Sequence, residues 1–159
     1  VGKIASPLPA PVAPLAALAP PPLKDTVHAI NKASQNLYSE LLLRRLGLDG
    51  GNGAIADGQA VVAAMLAEAG VAPLAASLSD GSGMSTYNRV APRGTVRLLQ
   101  WAARQPWGAE LKASLPVGGV DGTLAWRFAE TPLEGRVFAK TGTLNATNAL
   151  AGWLIAASG

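Results

Sequence analysis

Two short patterns, one at Ser34 and Asn36 and one opening at Lys140, stand out as those that could carry chemistry. Ser34-Gln35-Asn36 is a Ser-x-Asn triplet, and Lys140 opens the run Lys140-Thr141-Gly142-Thr143. Hydroxyl, amide and amine groups are the kinds that take part in proton transfer and hydrogen bonding. Lys-Thr-Gly is much the rarer of the two patterns in a sequence of this composition, and so the more specific.

The rest of the composition removes other chemistries. The 159 residues include no cysteine, which excludes disulfides, thiol catalysis and cysteine metal sites. The one histidine, His28, leaves no histidine pair for zinc, and no metal or other cofactor is implied. With no carboxylate at useful spacing, His28 reads as a helix-surface or packing residue. The net charge is only +3, and of the basic residues only Arg44 and Arg45 are adjacent. So weak and scattered a field argues against a nucleic-acid partner. Charged residues are 14 % and apolar residues 49 %, which excludes a charged disordered segment. No apolar run approaches the ~18 residues needed to span a bilayer.

The elements that must position Ser34 and Lys140 follow from periodicity. Val27, Ile30, Leu37, Leu41 and Leu42 recur at helical spacing, from a cap at Asp25 or Thr26 to a stop at Gly47. This stretch is either one helix or two meeting near Ser34, with Ser34 capping the second. Asp57 is expected to cap a helix over residues 58–69, and Pro92 to start one reaching about Gln105. A short helix is expected over residues 123–128. Strands are expected over residues 136–141 and 150–155, joined through residues 144–148. Asp80 to Gly83 and Asp121-Gly122 read as turns, with Asp80 and Ser82 also candidates to line a site. Trp101, Trp107, Trp126 and Trp153 are expected in the core or at its edge. An isolated hairpin is marginal in water. The expectation is therefore a mixed α/β (α+β) fold with a helical part and an incomplete antiparallel sheet. Seven of the twelve prolines lie in residues 1–22, which read as a Pro/Ala linker or re-entry segment.

Ser-x-Asn followed by Lys-Thr-Gly matches two of the three motifs of penicillin-binding proteins and serine β-lactamases. The surroundings extend the match. Residues 28–40, His-Ala-Ile-Asn-Lys-Ala-Ser-Gln-Asn-Leu-Tyr-Ser-Glu, resemble the second-motif helix of D-alanyl-D-alanine carboxypeptidases. Ser79-Asp80-Gly81-Ser82-Gly83-Met84-Ser85 with Asn88 is similar to a glycine-rich segment of their class C branch, and Gly119 to Leu124 continues the likeness. The resemblance covers roughly residues 23–156 and implies part of a penicillin-binding catalytic domain over residues 23–159.

The resemblance implies hydrolysis of D-Ala-D-Ala peptides of bacterial peptidoglycan through an acyl-enzyme, in the periplasm or cell envelope, with β-lactams as inhibitors. It implies proton relay by Ser34, and an Asn36 amide holding the substrate carbonyl and the catalytic lysine. Lys140 would supply positive potential, and the Thr141 and Thr143 hydroxyls would bind the terminal carboxylate. The Thr143 N–H would form half an oxyanion hole, and Gly142 would admit the substrate. No Ser-x-x-Lys occurs: the residues three before Lys24, Lys32, Lys112 and Lys140 are Pro21, Ala29, Ala109 and Val137, and none precedes Lys3. The nucleophile is thus expected on the remainder of the catalytic domain, with this chain inert alone. The alternatives are a non-catalytic peptide-binding module on the same fold and a serine β-lactamase.

Overall fold

A computed structural model describes residues 16–158. The helices are α1 (Leu23–Ala33), α2 (Asn36–Leu46), α3 (Ile55–Glu68), α4 (Pro92–Ala102) and α5 (Gly108–Ser114). The strands are β1 (Ala76–Ser77), β2 (Arg89–Val90), β3 (Val137–Leu144) and β4 (Thr147–Leu154). Residues 1–15 of the proline-rich start lie outside the described residues, and residues 16–22 are exposed without helix or strand.

The helical stretch divides at Ser34, but Ser34 does not cap the second helix. It ends the first, in the left-handed region at φ 56° and ψ 54°. The Gln35 N–H then reaches back to the Ile30 carbonyl at 3.1 Å, closing the last turn of α1. Neither Asp25 nor Thr26 caps α1, which starts after Pro22. α3 begins three residues before its expected start. Asp57 sits inside its first turn and accepts from the N–H groups of Ala54 (3.3 Å) and Asn52 (3.0 Å). Pro92 does open α4, where its missing N–H leaves no extra orphan. α4 ends at Ala102 rather than near Gln105, and a 3-10 turn over Gly122–Leu124 replaces the expected helix over residues 123–128. The helix α5 and the β1–β2 ribbon have no counterpart in the sequence reading.

β3 and β4 pair antiparallel from Val137↔Leu154 to Leu144↔Thr147, a tighter hairpin than expected. On the opposite edge of β3, residues 116–118 add rungs through Ala139 N–H to Pro116 O (3.0 Å) and Gly118 N–H to Val137 O (2.9 Å). Alternation along β3 turns Val137 and Ala139 inward, onto the fully buried Leu124 and onto Phe128. Gly152 lies opposite Ala139, and a Cβ there would meet the Phe138 carbonyl oxygen and come within 2.5 Å of Ala139 Cα. Gly152→Ala is expected to cost about 2 kcal/mol through overpacking, read as a lower urea midpoint.

Two of the four tryptophans depart from the expectation. Trp126 is 95 % exposed and Trp107 46 %. Trp107 stacks edge-on against Trp101 at 5.6 Å, while Trp126 follows the 3-10 turn, which buries Leu124 in its place.

Candidate active site

Helix α1 brings Ser34 to the strand through one polar face. His28, Asn31 and Lys32 are spaced three and four apart, so they share a side of the helix. Asn31 Nδ2 donates to Ser114 Oγ at 2.7 Å, and Ser114 is fully buried at the end of α5. Lys32 Nζ donates to Leu115 O (2.6 Å) and to Asp121 Oδ2 (2.6 Å). Asp121 in turn accepts from the Val117 N–H at 2.8 Å. His28 Nε2 pairs with Glu110 at 2.9 Å, a carboxylate 82 residues distant that linear spacing does not reveal. The Asp121-Gly122 turn thus anchors α1 to the segment that edges β3.

At the end of α1, Lys140 Nζ donates to Ser34 Oγ at 2.9 Å and to Thr141 O at 2.8 Å. The two side chains are 106 residues apart in sequence. Burial of the ammonium lowers the Lys140 pKa below the ordinary lysine value. Thr141 Oγ1 is 2.8 Å from Thr123 Oγ1. These groups border one cleft of about 450 Å³, with Asn36, Ser39, Gly142, Thr143, Leu144 and the loop residues Ser82 to Met84.

The backbone of β3 also has a direction. Ala139 sends its N–H away from β4, to Pro116. Antiparallel ladders alternate residue by residue, so the N–H groups of Thr141 and Thr143 point to that same edge. There β3 presents donors without consuming them in the hairpin.

Ser82 stands at the cleft, whereas Asp80 lies behind it. The Asp80 carboxylate accepts from Gly83 N–H (2.8 Å), Ser85 N–H (2.5 Å) and Asn88 Nδ2 (2.9 Å), so it shapes the loop instead of lining the site. Two further residues escaped the sequence reading. Thr123 carries the hydroxyl that meets Thr141. Glu40 accepts from the Ser82 hydroxyl at 2.7 Å and its N–H at 3.0 Å. The Ser82 hydroxyl is the largest influence holding the Glu40 pKa below the usual carboxylate value; the backbone N–H groups of Gly81 and Ser82 add to it, and burial and Asp80 oppose it. The spacing of Glu40 four after Asn36 was the available signal, since it puts both on one helix face.

The model of the D-Ala-D-Ala carboxypeptidase 3 (S13) family matches residues 3–159. The chain belongs to that family. A D-alanyl-D-alanine carboxypeptidase of Actinomadura sp. is 39 % identical over 138 residues, covering 83 % of this chain and 26 % of that relative. The carboxypeptidase DacB of Haemophilus influenzae is 32 % identical over 142 residues, covering 87 % and 30 %. The chain therefore spans under a third of the length of these relatives. The crystal structure of penicillin-binding protein 4 of H. influenzae superposes with a TM-score of 0.80 at 32 % identity, covering 87 % of this chain and 31 % of that one. The fold of this S13 chain is thus the mixed helix and antiparallel-strand arrangement of those penicillin-binding proteins. Among the described residues, no helix is long and apolar enough to cross a membrane.

Proposed function

We propose that these residues form the Ser-x-Asn and Lys-Thr-Gly side of a serine D-Ala-D-Ala carboxypeptidase site, completed by a Ser-x-x-Lys segment outside the 159 residues. The observation that carries this is the 2.9 Å contact from Lys140 Nζ to Ser34 Oγ at the edge of a cleft bordered by Asn36 and Thr143. In that contact Ser34 accepts, so its own proton is free for a leaving amine. Lys140 supports the relay and supplies positive potential for the terminal carboxylate, which the Thr141 and Thr143 hydroxyls also bind. The outward Thr143 N–H is one oxyanion donor, Asn36 holds a substrate carbonyl, and Gly142 lets the peptide lie against β3. The substrate class is the stem peptide of bacterial peptidoglycan, which places the protein in the cell envelope, with β-lactams as inhibitors. The H. influenzae penicillin-binding protein 4 has also been solved in complex with a β-lactam, at 31 % identity to this chain.

The test is acylation by a fluorescent penicillin. The 159-residue chain alone is expected to take no label, and the full-length protein carrying a Ser-x-x-Lys is expected to be labelled stoichiometrically. Labelling of the isolated chain would refute the division of the site. Slow release of the acyl group separates a carboxypeptidase from a β-lactamase.

A further inference from the structure

The loop over residues 79–85 forms one rim of the cleft through Ser82, Gly83 and Met84. Its ends are drawn together by the β1–β2 ribbon, through Ala76↔Val90 and Ser77↔Arg89. Asp80 and Asn88 fix its internal shape, the latter accepting from Ser79 N–H at 2.7 Å. The loop is therefore a preformed unit that needs a seat. That seat is α2. A Cβ on Gly81 would come within 2.6 Å of Ser39 O and 2.9 Å of Leu43 Cβ, so the loop already touches the helix at its closest approach. Glu40 supplies the polar part of the contact, from Gly81 N–H at 3.2 Å to Ser82 Oγ at 2.7 Å.

We propose that Glu40 is a positioning residue of the cleft: it locks the 79–85 rim to the helix that carries Asn36, and holds Ser82 as an acceptor for a peptide N–H of the ligand. A hydroxyl has one proton, and here it is given to Glu40 Oε1. Ser82 Oγ also accepts from Met84 N–H at 3.4 Å, which leaves it one lone pair for a donor in the cleft. Glu40 itself is absent from the cleft lining, so it acts through Ser82. One helical turn separates Glu40 from Asn36, which fixes the distance from the rim to the Asn36 amide. This inference rests on the peptidase reading of the same cleft.

The experiment is steady-state cleavage of an acylated tripeptide ending in D-Ala-D-Ala by the full-length protein, beside its acylation by penicillin. Glu40→Gln weakens the acceptor that takes the Ser82 proton, because a neutral amide oxygen replaces the carboxylate oxygen that also faces the Ser82 N–H. It is expected to raise KM about tenfold with kcat within about twofold. Ser82→Ala is expected to reproduce that split, and the double variant to add nothing to either single one. Glu40→Asp is expected to recover part of the KM loss. If Glu40→Gln does not fold, the KM of Ser82→Ala decides alone. An unchanged KM in the folded variants, or equal losses in the two singles that sum in the double, overturns the inference. A parent protein that neither cleaves the peptide nor is acylated overturns the peptidase reading and this inference with it. A parent that does both, with variants that keep its KM, overturns this inference alone.

Discussion

Lys140→Ala is expected to lower kcat/KM for a D-Ala-D-Ala peptide by about 10³-fold in the full-length protein, on the scale of a lost proton-transfer partner. Lys140 is asked to do two things from one position: hold Ser34 by a 2.9 Å hydrogen bond and attract a carboxylate. Its depressed pKa gives this prediction a second, independent measurement. The unfolded chain holds the Lys140 proton more tightly than the folded one. Stability therefore rises with pH between the lowered folded value and the ordinary 10.5, and the full burial cost is present below both. Lys140→Met removes that cost. Its Tm at neutral pH is expected to equal or exceed the parent's, and the alkaline rise in stability to disappear. In activity, the loss of the charge on Lys140 sets an alkaline limb below the usual lysine range, and Lys140→Arg is expected to shift it upward. A Lys140→Ala enzyme with full activity would remove Lys140 from the mechanism.

Ser34→Gly is expected to cost about 10²- to 10³-fold in activity while leaving stability unchanged or slightly higher. Ser34 sits at φ 56° as the last residue of a helix turn, a position that glycine fills with less strain. A serine there carries about 1 kcal/mol of backbone strain. Ser34→Ala keeps that strain and loses the hydroxyl, so the expected order of Tm is glycine at or above serine, and serine at or above alanine. Both variants are expected to lose turnover together. If Ser34 served only to end α1, Ser34→Gly would be fully active. Thermal melts and tripeptide turnover on the three proteins decide between these outcomes.

Parts of this site were legible because they are local. Ser-x-Asn and Lys-Thr-Gly are read directly from neighbouring residues, and Pro92 marks the start of α4 through the chemistry of a missing N–H. The break at Ser34 was visible as one of two readings, since apolar spacing continues across it. The side chain's duty was not. Capping is the default for a serine between helices, whereas here the hydroxyl accepts from Lys140. Helix α5 was missed because its seven residues lack a sustained apolar period, and what holds them is the docking of Ser114 and Glu110 onto α1. Trp126 shows the reverse error. Aromatic area favours burial, but the 3-10 turn commits Leu124 inward and leaves Trp126 in solvent.

The sequence by itself determined which functional groups exist, that Ser34 and Asn36 stand two residues apart in a helical stretch, and that Lys140 and Thr141 close a strand. It determined the absence of thiols and of a histidine pair, and the absence of Ser-x-x-Lys within these residues. Only the tertiary structure decided that Lys140 meets Ser34 across 106 residues, that Thr123 meets Thr141, and that Glu40 stands behind Ser82. The physical reason is range. Periodicity and capping report on partners within one or two turns of chain, where geometry is set by the backbone alone. Contacts between distant segments depend on how α1, α2 and the hairpin dock, which the Lys32–Asp121 pair and the burial of Leu124 and Ala139 govern together.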